Sequence, residues 1–168
     1  MHCKSIIVVT NVKMWIIVER NGERGMFFGE FQHNLDTKGR LSIPAKFRGE
    51  CGDHVYIMRG HEGCLDLYTE EGWQAYYAEL KKLSNKKKEE RAYLRMVTSR
   101  MSCSEFDKLG RINIPQVLRT HAHLEKECTI VGAGEHIEIW DTAKWEAFYD
   151  EYDDQFDDLS EKISENEE

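Results

Sequence analysis

DTKGRLSIP, from Asp36 to Pro44, returns as DKLGRINIP, from Asp107 to Pro115. Sliding the chain along itself lays Asp36 on Asp107, Gly39 on Gly110, Arg40 on Arg111, Ile43 on Ile114, Pro44 on Pro115 and Arg48 on Arg119. Trp73 and Trp145 follow Pro44 and Pro115 at almost the same separation, so the likeness runs through most of each half. Self-similarity at a fixed offset marks a tandem duplication. Units this short bury too little apolar surface to stand alone, so the two halves are expected to pack on each other.

Each copy reads the same way. FFGEFQHNL and VTSRMSCSEF read as strands, and Asp-x-x-Gly then supplies a turn in which Gly39 or Gly110 takes positive φ. RLSIP and RINIP alternate, which sets Leu41 and Ile43, or Ile112 and Ile114, on one face. Pro44 or Pro115 ends the strand and opens a short helix, AKFRGE or QVLRTH. Two strands follow, HVYIMRG and CLDLYT in the first copy, ECTIVGA and HIEIWD in the second. A helix closes each copy: EEGWQAYYAELKKL, and one longer helix within TAKWEAFYDEYDDQFDDLSEKI. In the latter, Trp145, Phe148, Tyr149, Tyr152, Phe156, Leu159 and Ile163 form an apolar stripe opposite an acidic face. KKKEERAYLRMVTSR reads as a basic helix joining the copies. The expected division is a first repeat domain at 30–72, connecting helices at 73–100, a second repeat domain at 101–144, and an acidic C-terminal helix and tail at 145–168.

A formal charge of -8 argues against a polyanionic partner only on average. Residues 146–168 hold eleven Asp and Glu against one Lys, which leaves a net of +2 for residues 1–145. The tail is expected to be solvated and to border a DNA-facing surface without belonging to it. The segment 1–25 carries two apolar runs, Ile6 to Val9 and Trp15 to Val18, too short to span a bilayer and too interrupted for a secretory signal. Gly22 to Gly25 can be encoded by purine-rich triplets resembling a ribosome-binding site, so Met26 is the expected native start and the segment 1–25 a non-native extension. Five cysteines without a C-x-x-C pair suggest neither a disulfide framework nor a zinc knuckle and fit a reducing cytoplasm.

Enzyme signatures are absent: no Walker loop, G-x-G-x-x-G, G-x-S-x-G or H-E-x-x-H occurs. His121-x-His123 falls at a helix end and Cys51-x-x-His54 is as weak a metal signal, so neither a metal nor another cofactor is expected. The repeated residues divide by physics. Asp36, Gly39, Pro44, Asp107, Gly110 and Pro115 suit structural roles: turn acceptor, positive-φ position and strand terminator. Lys38, Arg40, Lys46 and Arg48, echoed by Lys108, Arg111 and Arg119, gather around a turn, strand and helix start, where guanidinium forks suit phosphate or guanine. Arg40 and Arg111 either serve that purpose or pair with Asp36 and Asp107; the sequence alone favours neither.

MFFGEFQHNLDTKGRLSIPAKFR, EFDKLGRINIP and HIEIWDTAKWEAF together resemble the MraZ family of bacterial transcriptional regulators, each copy being similar to a SpoVT-AbrB-type DNA-binding domain. The resemblance spans residues 26 to about 163. It implies a β-dominated α+β fold of two AbrB-like swapped-hairpin, double-split barrel units with short flanking helices and a C-terminal helix. It also implies a homo-oligomeric ring, with no membrane segment, that binds short direct repeats of double-stranded promoter DNA and represses its own division and cell-wall gene cluster from the nucleoid. Arg40 and Arg111 become the DNA contacts. One departure is visible: the lysine directly precedes glycine in the first turn (Lys38) but directly follows aspartate in the second (Lys108). The competing expectations are a ring-forming scaffold that holds a basic partner on its acidic C-terminal helix, and an AbrB-type antitoxin.

Overall fold

The computed structural model of the chain describes residues 26–165. Fourteen elements fall into two sets of seven. The first set is β1 (Phe27–Asn34), β2 (Arg40–Ser42), α1 (Ala45–Cys51), β3 (His54–Arg59), β4 (Leu65–Tyr68), α2 (Glu70–Leu80) and α3 (Lys88–Thr98). The second is β5 (Ser102–Glu105), β6 (Arg111–Asn113), α4 (Gln116–Ala122), β7 (Glu127–Gly134), β8 (Ile137–Asp141), α5 (Thr142–Asp153) and α6 (Phe156–Glu165). The architecture is α+β, organised around antiparallel strands.

The strands exchange between copies. One sheet has the order β1-β7-β8-β4-β3-β5, which reads the same from either end when each strand is replaced by its repeat equivalent. A pseudo-twofold axis therefore passes between β4 and β8, and the first strand of each copy completes the other copy's half of the sheet. β2 and β6 form a separate two-stranded ladder with Leu41 opposite Ile112. Alternation delivers the expected burial: Leu41, Ile43, Ile112 and Ile114 are all buried and join Phe47, Leu118, Val55 and Ile130 in one core. This one core draws buried residues from both copies.

A second cluster lies under α2 and α3, where Met58, Tyr68, Trp73, Leu80 and Val97 are buried. Its equivalent in the second copy is an aromatic group of Trp140, Trp145, Phe148 and Tyr152. α2 and α5 start alike: the Thr69 hydroxyl accepts from Gly72 N at 3.0 Å and the Asp141 carboxylate from Lys144 N at 3.3 Å.

Two expectations need correction. Val97 and Thr98 belong to the end of α3, and the strand in VTSRMSCSEF starts only at Ser102. Val97 reaches the second cluster as a helical residue, so packing overrides its β preference. The stripe from Trp145 to Ile163 is also not one helix, because the chain breaks between Asp153 and Phe156 into α5 and α6. Asp150, Glu151, Asp153 and Asp154 crowd the C-terminal end of α5, where the helix dipole is negative and acidic side chains oppose continuation. The reading of the segment 1–25 lies outside the described residues. Among the described residues no helix is long and apolar enough to cross a membrane.

Candidate nucleic-acid interface

Both Asp-x-x-Gly turns form the same closed structure. Asp36 Oδ1 accepts from the backbone N–H of Lys38 and of Arg40, each at 2.9 Å, and Gly39 N donates to Asp36 O at 2.9 Å. Asp107 repeats this with Leu109 N at 2.9 Å, Arg111 N at 3.0 Å and Gly110 N at 2.9 Å. Gly39 and Gly110 sit at φ +80° and +72°, the left-handed region that glycine enters without strain. The Arg40 N–H, followed by its guanidinium, holds the Asp36 carboxyl below its ordinary value against the opposing effect of desolvation, and Arg111 does the same for Asp107.

The two turns are stitched together. Ile43 N donates to Gly110 O at 3.1 Å and Ile114 N to Gly39 O at 2.9 Å, so each glycine carbonyl closes the strand end of the other copy. Strand alternation then puts Arg40, Ser42, Arg111 and Asn113 on the face opposite the buried Leu41 and Ile112. Of the two open alternatives for the arginines, the structure holds the ion pairs. Arg40 Nε lies 2.7 Å from Asp36 Oδ2; Arg111 bonds Asp107 Oδ2 through Nε and Nη2 at 2.7 Å and reaches to 3.7 Å from Asp36 Oδ2. Pairing does not bury them, since the side chains stay 33% and 23% exposed. The carboxylates orient the guanidinium groups at the surface.

The remaining basic residues separate by position. Arg119 of α4 lies over Gly39 in the other copy's turn, its guanidinium 2.8–3.0 Å from where a Cβ would stand, while its Nε donates to Ile114 O at 3.0 Å. Arg48 of α1 lies over Gly110 in the same way and donates to Leu109 O at 3.5 Å. Lys38 and Lys108 are exposed, with no ion pair among the described residues. Lys46 stands apart: its Nζ donates to Phe28 O at 3.0 Å and sits 3.7 Å from the centre of the Phe28 ring on β1. Six cations thus gather around the two turn carboxylates. Pro44 and Pro115 stand at the N-caps of α1 and α4, the helices that carry Arg48 and Arg119.

The copies are not equal. Leu109, 69% exposed, occupies the turn position that Lys38 fills in the first copy, and sequence reasoning passed over it. Asp53, Glu105 and Asp107 share an open groove of about 730 Å³ with Arg48 and Lys108, so the second turn has a mixed-charge flank. Sequence reasoning also missed that Arg48 and Arg119 each cover the opposite copy's turn. The one available signal was the arginine repeated at the same step after each proline.

Two copies that exchange their first strands, with one Asp-x-x-x-Arg turn in each, define a class: duplicated β-dominated α+β proteins in which one chain supplies both halves of a shared core. The family model described as "MraZ protein, putative antitoxin-like" matches residues 26–96 and again residues 101–166, and the chain belongs to the MraZ family. A transcriptional regulator MraZ of Ligilactobacillus salivarius is 49% identical over 138 residues, covering 82% of this chain and 96% of that protein. One of Lactobacillus johnsonii is 47% identical over 142 residues, covering 84% and 99%. Both relatives bear a regulator's name and not an enzyme's.

Proposed function

We propose that this chain is a DNA-binding transcriptional regulator that reads short direct repeats in the promoter of its own division and cell-wall gene cluster and represses it. It works as a cytoplasmic, nucleoid-associated homo-oligomer. The observation that carries the reading is the paired turn face, where Lys38, Arg40, Arg48, Lys108, Arg111 and Arg119 surround Asp36 and Asp107. Arg40 and Arg111, pre-oriented by their carboxylates, are placed for base edges or phosphates, and Lys38 and Lys108 for phosphates. Lys46, held against Phe28, contributes at the margin. A ring would present many such faces to successive repeats, and effective concentration then multiplies weak contacts.

The test is binding of the full chain to its own upstream region across a salt series. The Lys38→Ala, Lys108→Ala double variant should lower the slope of log K against log salt by about 1.8, at roughly 0.9 for each lost phosphate contact. Arg40→Ala should weaken promoter binding more than it weakens binding to unrelated DNA. Slopes and affinities equal to those of the unaltered chain would overturn the reading.

A scaffold reading retains one specific observation. α6 leaves Phe156 72% and Ile163 63% exposed beside its acidic side chains, a face suited to a basic amphipathic partner. Truncation after Gln155 removes α6 but keeps α5 against Trp140; a DNA-binding role survives this change at the level of the single chain, and a scaffold role does not.

A further inference from the structure

At the centre of the six-stranded sheet, far in sequence from both turns, β4 and β8 pair with Asp66 directly opposite Glu138. Two carboxylates facing each other across a ladder repel, so this placement favours a cation between them. The duplication supplies more than the acids. The superposition that matches Trp73 to Trp145 also lays Cys64 on His136 and Asp66 on Glu138, so each copy sends one sulfur or imidazole donor and one carboxylate to the pseudo-twofold axis.

Three of the donors converge, and the His136 imidazole flanks the two carboxylates. Ligand atoms of Cys64, Asp66 and Glu138 all lie within 4.8 Å of one another. Cys64 Sγ is 3.6 Å from Asp66 Oδ1, and His136 Nε2 is 3.8 Å from Asp66 Oδ1 and 3.4 Å from Glu138 Oε1. A tetrahedral ion with ligand bonds of about 2.0–2.3 Å sets its donors roughly 3.3–3.7 Å apart.

The surroundings are built to match. Trp140 Nε1 donates to Glu138 Oε2 at 2.8 Å, which fixes that carboxylate with Oε1 turned to His136, the kind of outer hydrogen bond that orients ligands. A Cβ at Gly60 would collide with Asp66 Oδ1 and Cys64 Sγ, so only glycine lets the chain pass this closely. A cavity of about 410 Å³ bounded by Gly60, His61, Asp66 and His121 reaches the site at Asp66. His121 Nε2, on the wall of that cavity, is buried without a hydrogen-bond partner among the described residues.

We propose that Cys64, Asp66, His136 and Glu138 form a binding site for a divalent transition ion of the zinc class, shared between the two copies. Cysteine and histidine with two carboxylates suit Zn²⁺ and its spectroscopic stand-in Co²⁺ better than an all-oxygen ion. On binding, the Cys64 thiol gives its proton to solvent and the thiolate joins the ion. The ion would pin β4 to β8 and so lock the two copies at their axis.

Full-length protein, reduced and stripped with a chelator, is titrated with Co²⁺ and then with Zn²⁺. The expected result is one Co²⁺ per chain, a thiolate-to-cobalt band in the near ultraviolet, visible bands of a tetrahedral site, and displacement by Zn²⁺. Cys64→Ser abolishes the thiolate band, and His136→Gln and Asp66→Asn each weaken Co²⁺ binding at least about 10-fold. Circular dichroism checks that each variant is folded; should Cys64→Ser unfold, the other two decide through the intact Cys64 band. Absence of that band in the unaltered protein overturns the proposal. So does Co²⁺ binding of equal strength in His136→Gln and Asp66→Asn, which would place the ion elsewhere on the chain.

Discussion

Asp36 and Asp107 each accept two backbone N–H groups and a guanidinium, so one side chain both closes a turn and aims an arginine. The turn itself was legible, because an acceptor shortly before glycine has few other geometries open to it. The crossing of Arg48 and Arg119 onto the opposite turns was not, since it depends on which copy's strands pair. Gly39→Ala meets both constraints at once: positive φ, and the Arg119 guanidinium where the methyl must go. It should cost roughly 1–2 kcal/mol in chemical denaturation and more in promoter affinity, because Arg119 is displaced. A change below a few tenths of a kcal/mol would show that the loop adapts. The carboxylates also set a pH dependence. Their folded-state values lie below the ordinary 3.8, so their stabilising effect is complete above that value and is lost as pH falls through the lower folded value. Asp36→Asn should therefore flatten the stability profile below about pH 4, measured by thermal unfolding across an acid series.

Most elements could be read from periodicity, and the two errors share a cause. In VTSRMSCSEF and in the stripe from Trp145 to Ile163, local pattern continues across a boundary that tertiary packing and charge impose. The equivalence of α3 and α6 was hidden for a related reason: KEERAYLRMVT carries a basic excess, FDDLSEKISE is acidic, and only their order after α2 and α5 reveals the match. α3 tucks Val97 into the second cluster, whereas α6 leaves its apolar side exposed. Caps, by contrast, survive divergence. Thr69 and Asp141 occupy equivalent positions with different side chains and make the same kind of bond. Thr69→Ala should lower stability by about 1 kcal/mol and Thr69→Asp should restore most of it, read from urea midpoints at constant slope. No loss in the alanine variant would mean that packing of Trp73 alone holds the start of α2.

At the scale of the molecule, exchange of β1 and β5 makes the two copies one folding unit. The repeat was plain in the sequence, but the divided domains at 30–72 and 101–144 are units of repetition that share both sheets, the six-stranded one and the β2-β6 ladder. The proposed metal site at the axis stayed hidden for the same reason: Asp66 and Glu138 belong to different copies and meet only after β4 pairs with β8. A cut between α3 and β5 tests this directly. Residues 26–99 alone keep β3 and β4 but lose β5 and β8, the strands on either side of them, and they keep β1 without its partner β7. Such a fragment exposes unpaired edges and half of a core, so it can complete its sheet only by taking strands from another molecule. It should therefore be either unfolded or dimeric, with a melting temperature that rises with concentration. Mixed with residues 100–168 it should recover the far-ultraviolet signal of the intact chain, because unlike halves restore the native pairings of β1 with β7 and β3 with β5. A fragment that unfolds cooperatively as a monomer, independent of concentration, would show that each copy owns its core and that the strand exchange is dispensable.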